Sequence, residues 1–363
     1  MAKAKAKEQT PKVAVPIDRT VKSSRTNADM NATSLSINYS DMKSLANVFV
    51  PNDHVGMVKY IHDSYKLKPQ GLVMNELKWK YLIRQSLRGR NIMMTGPVGS
   101  GKTLAAFILP RVLGRMNEIF NLGQTQDPQS YLIGNTHFRD AGTIFDESLF
   151  VKMIQVPNAI IILDELSRAH PDAWNILMPV LDMNQRYLRL DAKPGSPTVK
   201  VADGVTFVST ANIGAEYTAT RAMDRALVER FVICEMDILN QEQEFGLLQY
   251  MYPGVDEDLL QAQAAIAWMS RVQIKTDAPK INSIISTRQS VEMAGMMFDG
   301  FTLQEAAEEV IYPFYSTDGG NDSERTFVKS LVQKHIKTDK QSDAEVKVTG
   351  DLFDANDIAS AAS

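Results

Sequence analysis

Cysteine is almost missing: among 363 residues only Cys234 carries a thiol. A single cysteine excludes an intramolecular disulfide framework and any cysteine-rich metal centre, and it fits a reducing cytosol. Long apolar runs are missing as well. No stretch approaches the roughly 20 residues that a bilayer-spanning helix needs, and the N-terminus lacks the apolar core of a secretory signal. These absences predict a cytoplasmic protein with no membrane contact. Neither sign of charge is in large excess, the formal net charge being -4. Global attraction to nucleic acid or anionic lipid is therefore not expected, and any such contact would need a local patch. The histidines, His54, His62, His137, His170 and His335, are scattered without metal-ligand spacing. What is present is 44% hydrophobic content, enough for a sizeable core and for two domains.

One motif dominates. Gly96, Pro97, Val98, Gly99, Ser100, Gly101, Lys102 and Thr103 spell G-x-x-x-x-G-K-T, between the apolar run 91–95 and a helical pattern that begins at Leu104. A strand that ends in glycines and opens a helix aims backbone N–H groups and the positive end of a helix dipole at one small volume, which suits a β-phosphate. Lys102 can then reach β and γ oxygens while the Thr103 hydroxyl holds Mg²⁺. The bland alternative is a glycine-rich turn with a chance lysine. Strand, loop and helix falling in order speak against it.

Along the chain we read five segments. Residues 1–40 form a basic, solvated and disordered arm, in which Lys3, Lys5, Lys7, Lys12, Arg19, Lys22 and Arg25 face only Glu8 and Asp18 over the first 25 positions. Residues 41–90 form a helical lead-in. Residues 91–238 alternate strand and helix, with strands predicted at 91–95, 130–134, 159–163, 205–210 and 231–236, and helices at 102–119, 144–154, 171–184 and 223–229. Near-continuous apolar strands such as Ala159–Leu163 demand a sheet covered on both faces, so the fold class is α/β, a doubly wound parallel five-stranded sheet. A hairpin is expected over 187–201. Residues 239–336 carry only helical patterns, at 240–251, 256–272, 286–298, 302–312 and 323–336, and form a second, all-helical domain. Residues 337–363 are polar and read as a flexible tail.

Hydrolysis needs more than a phosphate loop. Asp164 and Glu165 follow an apolar strand, at the end where ligands sit in open α/β sheets. Asp164 suits the Mg²⁺ shell, and Glu165 suits orientation and partial deprotonation of an attacking water. The pair could instead cap the next helix. The strand at 205–210 ends in Ala211-Asn212, and Asn212 can offer a fixed dipole to the water or the γ-phosphate, an ordinary turn asparagine being the rival reading. Arg230 lies at a corner before the last core strand, far from its own phosphate loop, so its use would be across a subunit boundary. Arg221 and Arg225 compete for that role. Arg288 falls in a helix's first turn, where the dipole disfavours cations, and a bound phosphate would explain it.

Together these elements resemble the AAA+ ATPases over about residues 70–300. The resemblance implies a Walker A loop at Gly96–Thr103, a Walker B strand at Ile160–Glu165, a sensor-1 asparagine at Asn212, an arginine finger at Arg230 and a sensor-2 arginine at Arg288. Softer matches, in Leu163–Ala173, Ala226–Phe231 and Ser286–Arg288, resemble the MoxR branch with its cobalt chelatase and metalloenzyme-activating relatives. The chain before Walker B looks short for that branch, so its extra hairpin is expected to be curtailed, with residues 135–140 as its pore-facing counterpart. The resemblance implies an ATP- and Mg²⁺-dependent homo-oligomeric motor, most simply a hexameric ring, with a helical lid. Its client would be a protein with a von Willebrand factor A domain or a metalloenzyme awaiting its cofactor. Two other classes stay open: a nucleic-acid motor of helicase or clamp-loader type, not favoured by the acidic balance, and a nucleotide-gated scaffold with little turnover.

Overall fold

The computed structural model describes residues 53–139, 142–212 and 223–336. All of them fall within one compact unit, Ala46–Ser363. The basic arm, the start of the lead-in, Arg221 and the C-terminal tail lie outside the described residues.

Among the described residues the lead-in holds two α-helices joined through a 3-10 turn at Ser64–Leu67. Helix α1 (His54–Asp63) starts at Asp53, whose carboxylate accepts from the Gly56 N–H, and α2 (Glu76–Leu87) starts at Asn75, whose side chain accepts from the Lys78 N–H. Both caps satisfy donors that a helix start leaves unpaired. Helix α2 buries Trp79, Leu82 and Ile83 completely, and the Trp79 indole donates to the Ser64 carbonyl at 2.9 Å. These side chains share one apolar cluster with the sheet residues Ile92, Met94 and Ile162.

Next come β1 (Ile92–Thr95), α3 (Lys102–Leu113), β2 (Asn117–Asn121), α4 (Pro128–Leu132), β3 (Gly134–Arg139), β4 (Gly142–Glu147) and α5 (Leu149–Ile154). They are followed by β5 (Ile160–Asp164), α6 (Pro171–Leu181), β6 (Tyr187–Arg189), β7 (Thr198–Lys200), β8 (Thr206–Ala211), α7 (Arg225–Val228) and β9 (Val232–Glu235). The main sheet has five parallel strands in the order β2-β5-β8-β1-β9. Strands β5 and β8 are buried along nearly their whole length, as a sheet covered on both faces requires. The antiparallel pair β6–β7 is the hairpin expected over 187–201.

Four expectations fail between residues 113 and 154. The helix predicted over 102–119 stops at Leu113, because Gly114 adopts a left-handed backbone (φ 56°). The N–H groups of Gly114 and Arg115 turn back to the Arg111 and Pro110 carbonyls, which ends the helix. The second core strand is β2, five residues long, and not the segment 130–134. That segment is mostly α4, set by Asp127 accepting from the Ser130 N–H and by Pro128 in the first turn. The helix predicted over 144–154 is half strand, and α5 begins only after Ser148 caps the Val151 N–H. The extra hairpin is not curtailed: β3 and β4 pair over their full length, from Gly134–Glu147 to Arg139–Gly142. Gly134 is required there, since a Cβ would lie 2.2 Å from the Asp146 carbonyl oxygen.

The described residues after β9 are helical, as the sequence pattern predicts: α8 (Gln241–Met251), α9 (Glu257–Gln273), α10 (Thr287–Phe298), α11 (Leu303–Val310) and α12 (Glu324–His335). A second apolar cluster, with Leu248, Ile266, Met293, Ala306 and Val328, holds these helices together. Among the described residues no helix is long and apolar enough to cross a membrane.

Candidate functional site

The site is built at the carboxyl edge of the sheet. Strand β1 ends at Thr95, and the loop that follows needs three glycines in backbone regions closed to most side chains: Gly96 (φ 139°), Gly99 (φ 80°) and Gly101 (φ 82°). Gly96 has a steric reason too, because a Cβ would sit 2.4 Å from the Met236 carbonyl oxygen. Gly101 opens α3 without any side-chain cap and with nothing within 4 Å of a built Cβ. The first N–H groups of α3 are thus presented to an open space, at the positive end of the dipole.

Lys102 lies 8% exposed in this loop, its ammonium donating to the Gly96 and Pro97 carbonyls at 2.8 and 2.7 Å. Burial pulls its pKa down to about 8, partly opposed by the nearby Asp164 carboxylate. Ser100 Oγ is buried in the same loop without a hydrogen-bond partner. An orphaned hydroxyl, a desolvated ammonium and an uncapped helix start fit a polyphosphate. Thr103 Oγ1 lies 3.4 Å from Asp164 Oδ1. Two hard oxygen donors at that spacing fit Mg²⁺, which takes few protein ligands and completes its shell with phosphate and water. No group of three or more His, Cys, Asp or Glu able to hold a metal occurs among the described residues.

The acidic pair sits at the end of β5. Asp164 accepts from the Thr210 hydroxyl at 2.5 Å, and that same hydroxyl accepts from the Glu165 N–H at 3.0 Å. Thr210, 3% exposed on β8, therefore clamps both acidic positions to the adjacent strand. Glu165 has a left-handed backbone (φ 55°), an uncommon state for a residue with a side chain and one that clusters at functional sites. Its carboxylate is 3.4 Å from the Arg168 guanidinium. It also lies over Gly123, where a Cβ would come 2.3 Å from Glu165 Oε2. Asn212 follows β8 directly, its N–H donating to Ser167 Oγ at 3.3 Å.

Loop, acidic pair and Asn212 thus gather at one edge of adjacent strands β1, β5 and β8. The start of α10, two residues before Arg288, reaches that edge: Ser286 caps α10, and a Cβ on Gly99 would lie 2.9 Å from Ser286 Cβ. Arg288 itself is exposed. Arg230 is not brought to the same edge. It precedes β9, whose first residue Val232 pairs with Ile92 at the start of β1, while the phosphate loop follows the far end. Four strand residues, roughly 13 Å at about 3.3 Å each, separate the two ends. Its guanidinium is 3.3 Å from Asp182 and donates to the Ala226 carbonyl. Arg225 is exposed and paired with Glu229.

Thr210, Ser167, Arg168 and Gly123 were not singled out from the sequence. The position of Thr210, two residues before Asn212 at the end of a buried strand, was the one available signal. Nothing local distinguishes Gly123, whose role exists only because β2 lies beside β5.

A family model described as "AAA domain (dynein-related subfamily)" matches residues 91–231. A chaperone-named protein, BssE, of Thauera aromatica is 30% identical over 217 residues, 60% of this chain and 72% of that protein. An uncharacterized protein of Staphylococcus epidermidis is 29% identical over 47% of this chain and 65% of its own length, just under two thirds. Among solved structures, the RuvB Holliday junction branch migration motor of Thermotoga maritima aligns over 67% of this chain and 72% of its own, with 14% identity and a TM-score of 0.43. A relative matched over most of its length and a family model running from β1 to the threshold of β9 leave one assignment: the chain belongs to the AAA domain family, in its dynein-related subfamily.

Proposed function

We propose that this chain hydrolyses ATP with Mg²⁺ as a MoxR-like ring of about six copies, and that hydrolysis drives remodelling of a protein partner in the cytoplasm. The observation that carries the reading is the gathering of Lys102, Thr103, Asp164, Glu165 and Asn212 at one sheet edge, with the start of α10 against Gly99. Residues 91–238 act as the nucleotide core and 239–336 as the lid. Gly96 to Thr103 cradle the phosphates, and Lys102 exchanges its two loop carbonyls for β and γ oxygens. Mg²⁺, held by Thr103 and Asp164, would neutralise charge building on those oxygens. Glu165 orients a water, whose oxygen attacks the γ-phosphorus while the bond to the β–γ bridging oxygen breaks. Its carboxylate accepts the water's proton, and ADP departs with the bridging electrons. Asn212 supplies a fixed dipole to the attacking water, and Arg288 reports the phosphate to the lid.

Arg230 serves the neighbouring copy's γ-phosphate. Its station at the opposite end of the sheet supports that use, because a ring brings one subunit's far end to the next subunit's loop. The partner class rests on the chaperone-named relative and on the resemblance to activators of metalloenzymes and of proteins with von Willebrand factor A domains. The deciding experiment measures phosphate release by the wild type and by Glu165→Gln. Turnover falling at least a hundredfold with ATP binding retained is expected, while equal rates would end the enzyme reading.

A further inference from the structure

The most deeply buried charges among the described residues are not in the loop. Arg271 is 2% exposed and Glu244 fully buried, and they meet in a two-pronged pair, both N–O distances being 2.9 Å. Such a pair is weak evidence for stability, since apolar replacements of similar volume are often as stable. What it supplies is direction. Arg271, on α9, also donates to the Ile285 carbonyl from Nε and Nη2, to the Leu239 carbonyl from Nη1 and to Thr287 Oγ1 from Nη2 at 3.4 Å. Thr287 Oγ1 in turn donates to Glu244 Oε2 at 3.0 Å. The neighbouring Ser270 hydroxyl accepts from the Ile285 N–H at 2.9 Å, so Ile285 is held at both its N–H and its carbonyl.

Apart from the pair itself and the Leu239 contact, these bonds converge on residues 285–287, the turn that launches Arg288. On the other side of that turn lies the phosphate loop, so close that Gly99 has no room for a side chain. The turn is therefore held by a buried charge pair and abuts the loop.

We propose that Glu244 and Arg271 are positioning residues for Arg288, setting the start of α10 at the height where its guanidinium can meet a phosphate gripped by Gly96 to Thr103. The proposal rests on the reading of Arg288 as a phosphate contact. Neither Glu244 nor Arg271 touches nucleotide in this scheme; both act through the 285–287 turn.

The test measures the affinity of a fluorescent ATP analogue, with Tm recorded in parallel, on the full chain. The proteins are wild type, Arg288→Ala, Thr287→Val, the paired swap Glu244→Met with Arg271→Met, and each hub variant combined with Arg288→Ala. Arg288→Ala is expected to weaken binding roughly tenfold, the size of one charge-assisted contact. The paired swap should stay folded and weaken binding by the same factor, with no further loss when Arg288 is already alanine, because coupled residues fail to add. Thr287→Val, which leaves the charge pair intact, should show a smaller loss that also vanishes without Arg288, and it carries the test if the paired swap does not fold. Losses that multiply with the Arg288→Ala loss, or hub variants that bind like wild type, would overturn the proposal while leaving the phosphate reading in place. Wild-type affinity in Arg288→Ala, read on a chain whose hub is intact, would instead remove the reading on which it rests.

Discussion

Lys102 has an ammonium whose charge is held against desolvation, and that has two consequences of opposite direction. Its pKa of about 8, against 10.5 for a free lysine, means that the proposed attraction to phosphate would fade as pH climbs past 8. ATP-analogue affinity should therefore drop roughly fivefold between pH 8 and pH 9, and a Lys102→Arg chain should show a flat profile over that range. Folding runs the other way. Between pH 8 and 10.5 the unfolded chain binds more protons at this position than the folded one, so its contribution to stability rises with pH. Gly123 gives a second prediction. Its backbone is free of strain, yet a methyl group would displace the Glu165 carboxylate. If Glu165 is the proposed base, Gly123→Ala should lower kcat about tenfold or more, a part of the roughly hundredfold or more that a positioned base contributes, with ATP affinity and Tm close to wild type. Unchanged kcat would mean that this placement of Glu165 is irrelevant to turnover.

Secondary-structure elements were legible wherever period and punctuation agreed. The four other core strands and the five helices after residue 238 fall within a few residues of their predicted bounds, because apolar runs and helical stripes there are long. Between Leu113 and Ile154 the signals are short and local. Gly114 was the stop sign for α3, but the apolar pattern continues past it through Met116, Ile119 and Phe120, and β2 is an edge strand with only Phe120 fully inside. The run Tyr131-Leu132-Ile133 looks like a strand unless Asp127 and Pro128 are weighed as a helix start. At the site, the loop and acidic pair were readable because their chemistry lies in adjacent residues. Thr210, Gly123 and the Glu244–Arg271 pair were not, since each acquires meaning from an element far away in sequence. Arg271 had one clue: a charge falling on the buried stripe of α9 with Leu260, Ala264 and Ala267. Gly114 also yields a prediction for α3. Replacing it by alanine forces a left-handed backbone on a β-carbon and should cost about 1 kcal/mol, read as a lower denaturation midpoint. No loss would mean that the helix end is not fixed by this residue.

The two ends of one parallel sheet carry different halves of the proposed site. The carboxyl edge carries the cradle and the acidic pair, and the amino end carries Arg230, tied to Asp182 within its own chain. A single copy therefore holds both halves of the proposed site without being able to join them. Arg230→Ala alone cannot separate an action on a neighbour from the loss of the Asp182 contact, but mixing can. Each of Arg230→Ala and Glu165→Gln should be nearly inactive by itself while still binding ATP. When the two are mixed and allowed to exchange subunits, a Glu165-intact copy will adjoin an Arg230-intact copy at some seams, and phosphate release should recover to roughly a quarter of the wild-type rate at equal amounts, as random occupancy of a ring's seams requires. A mixture no more active than its two components would contradict a site shared between copies.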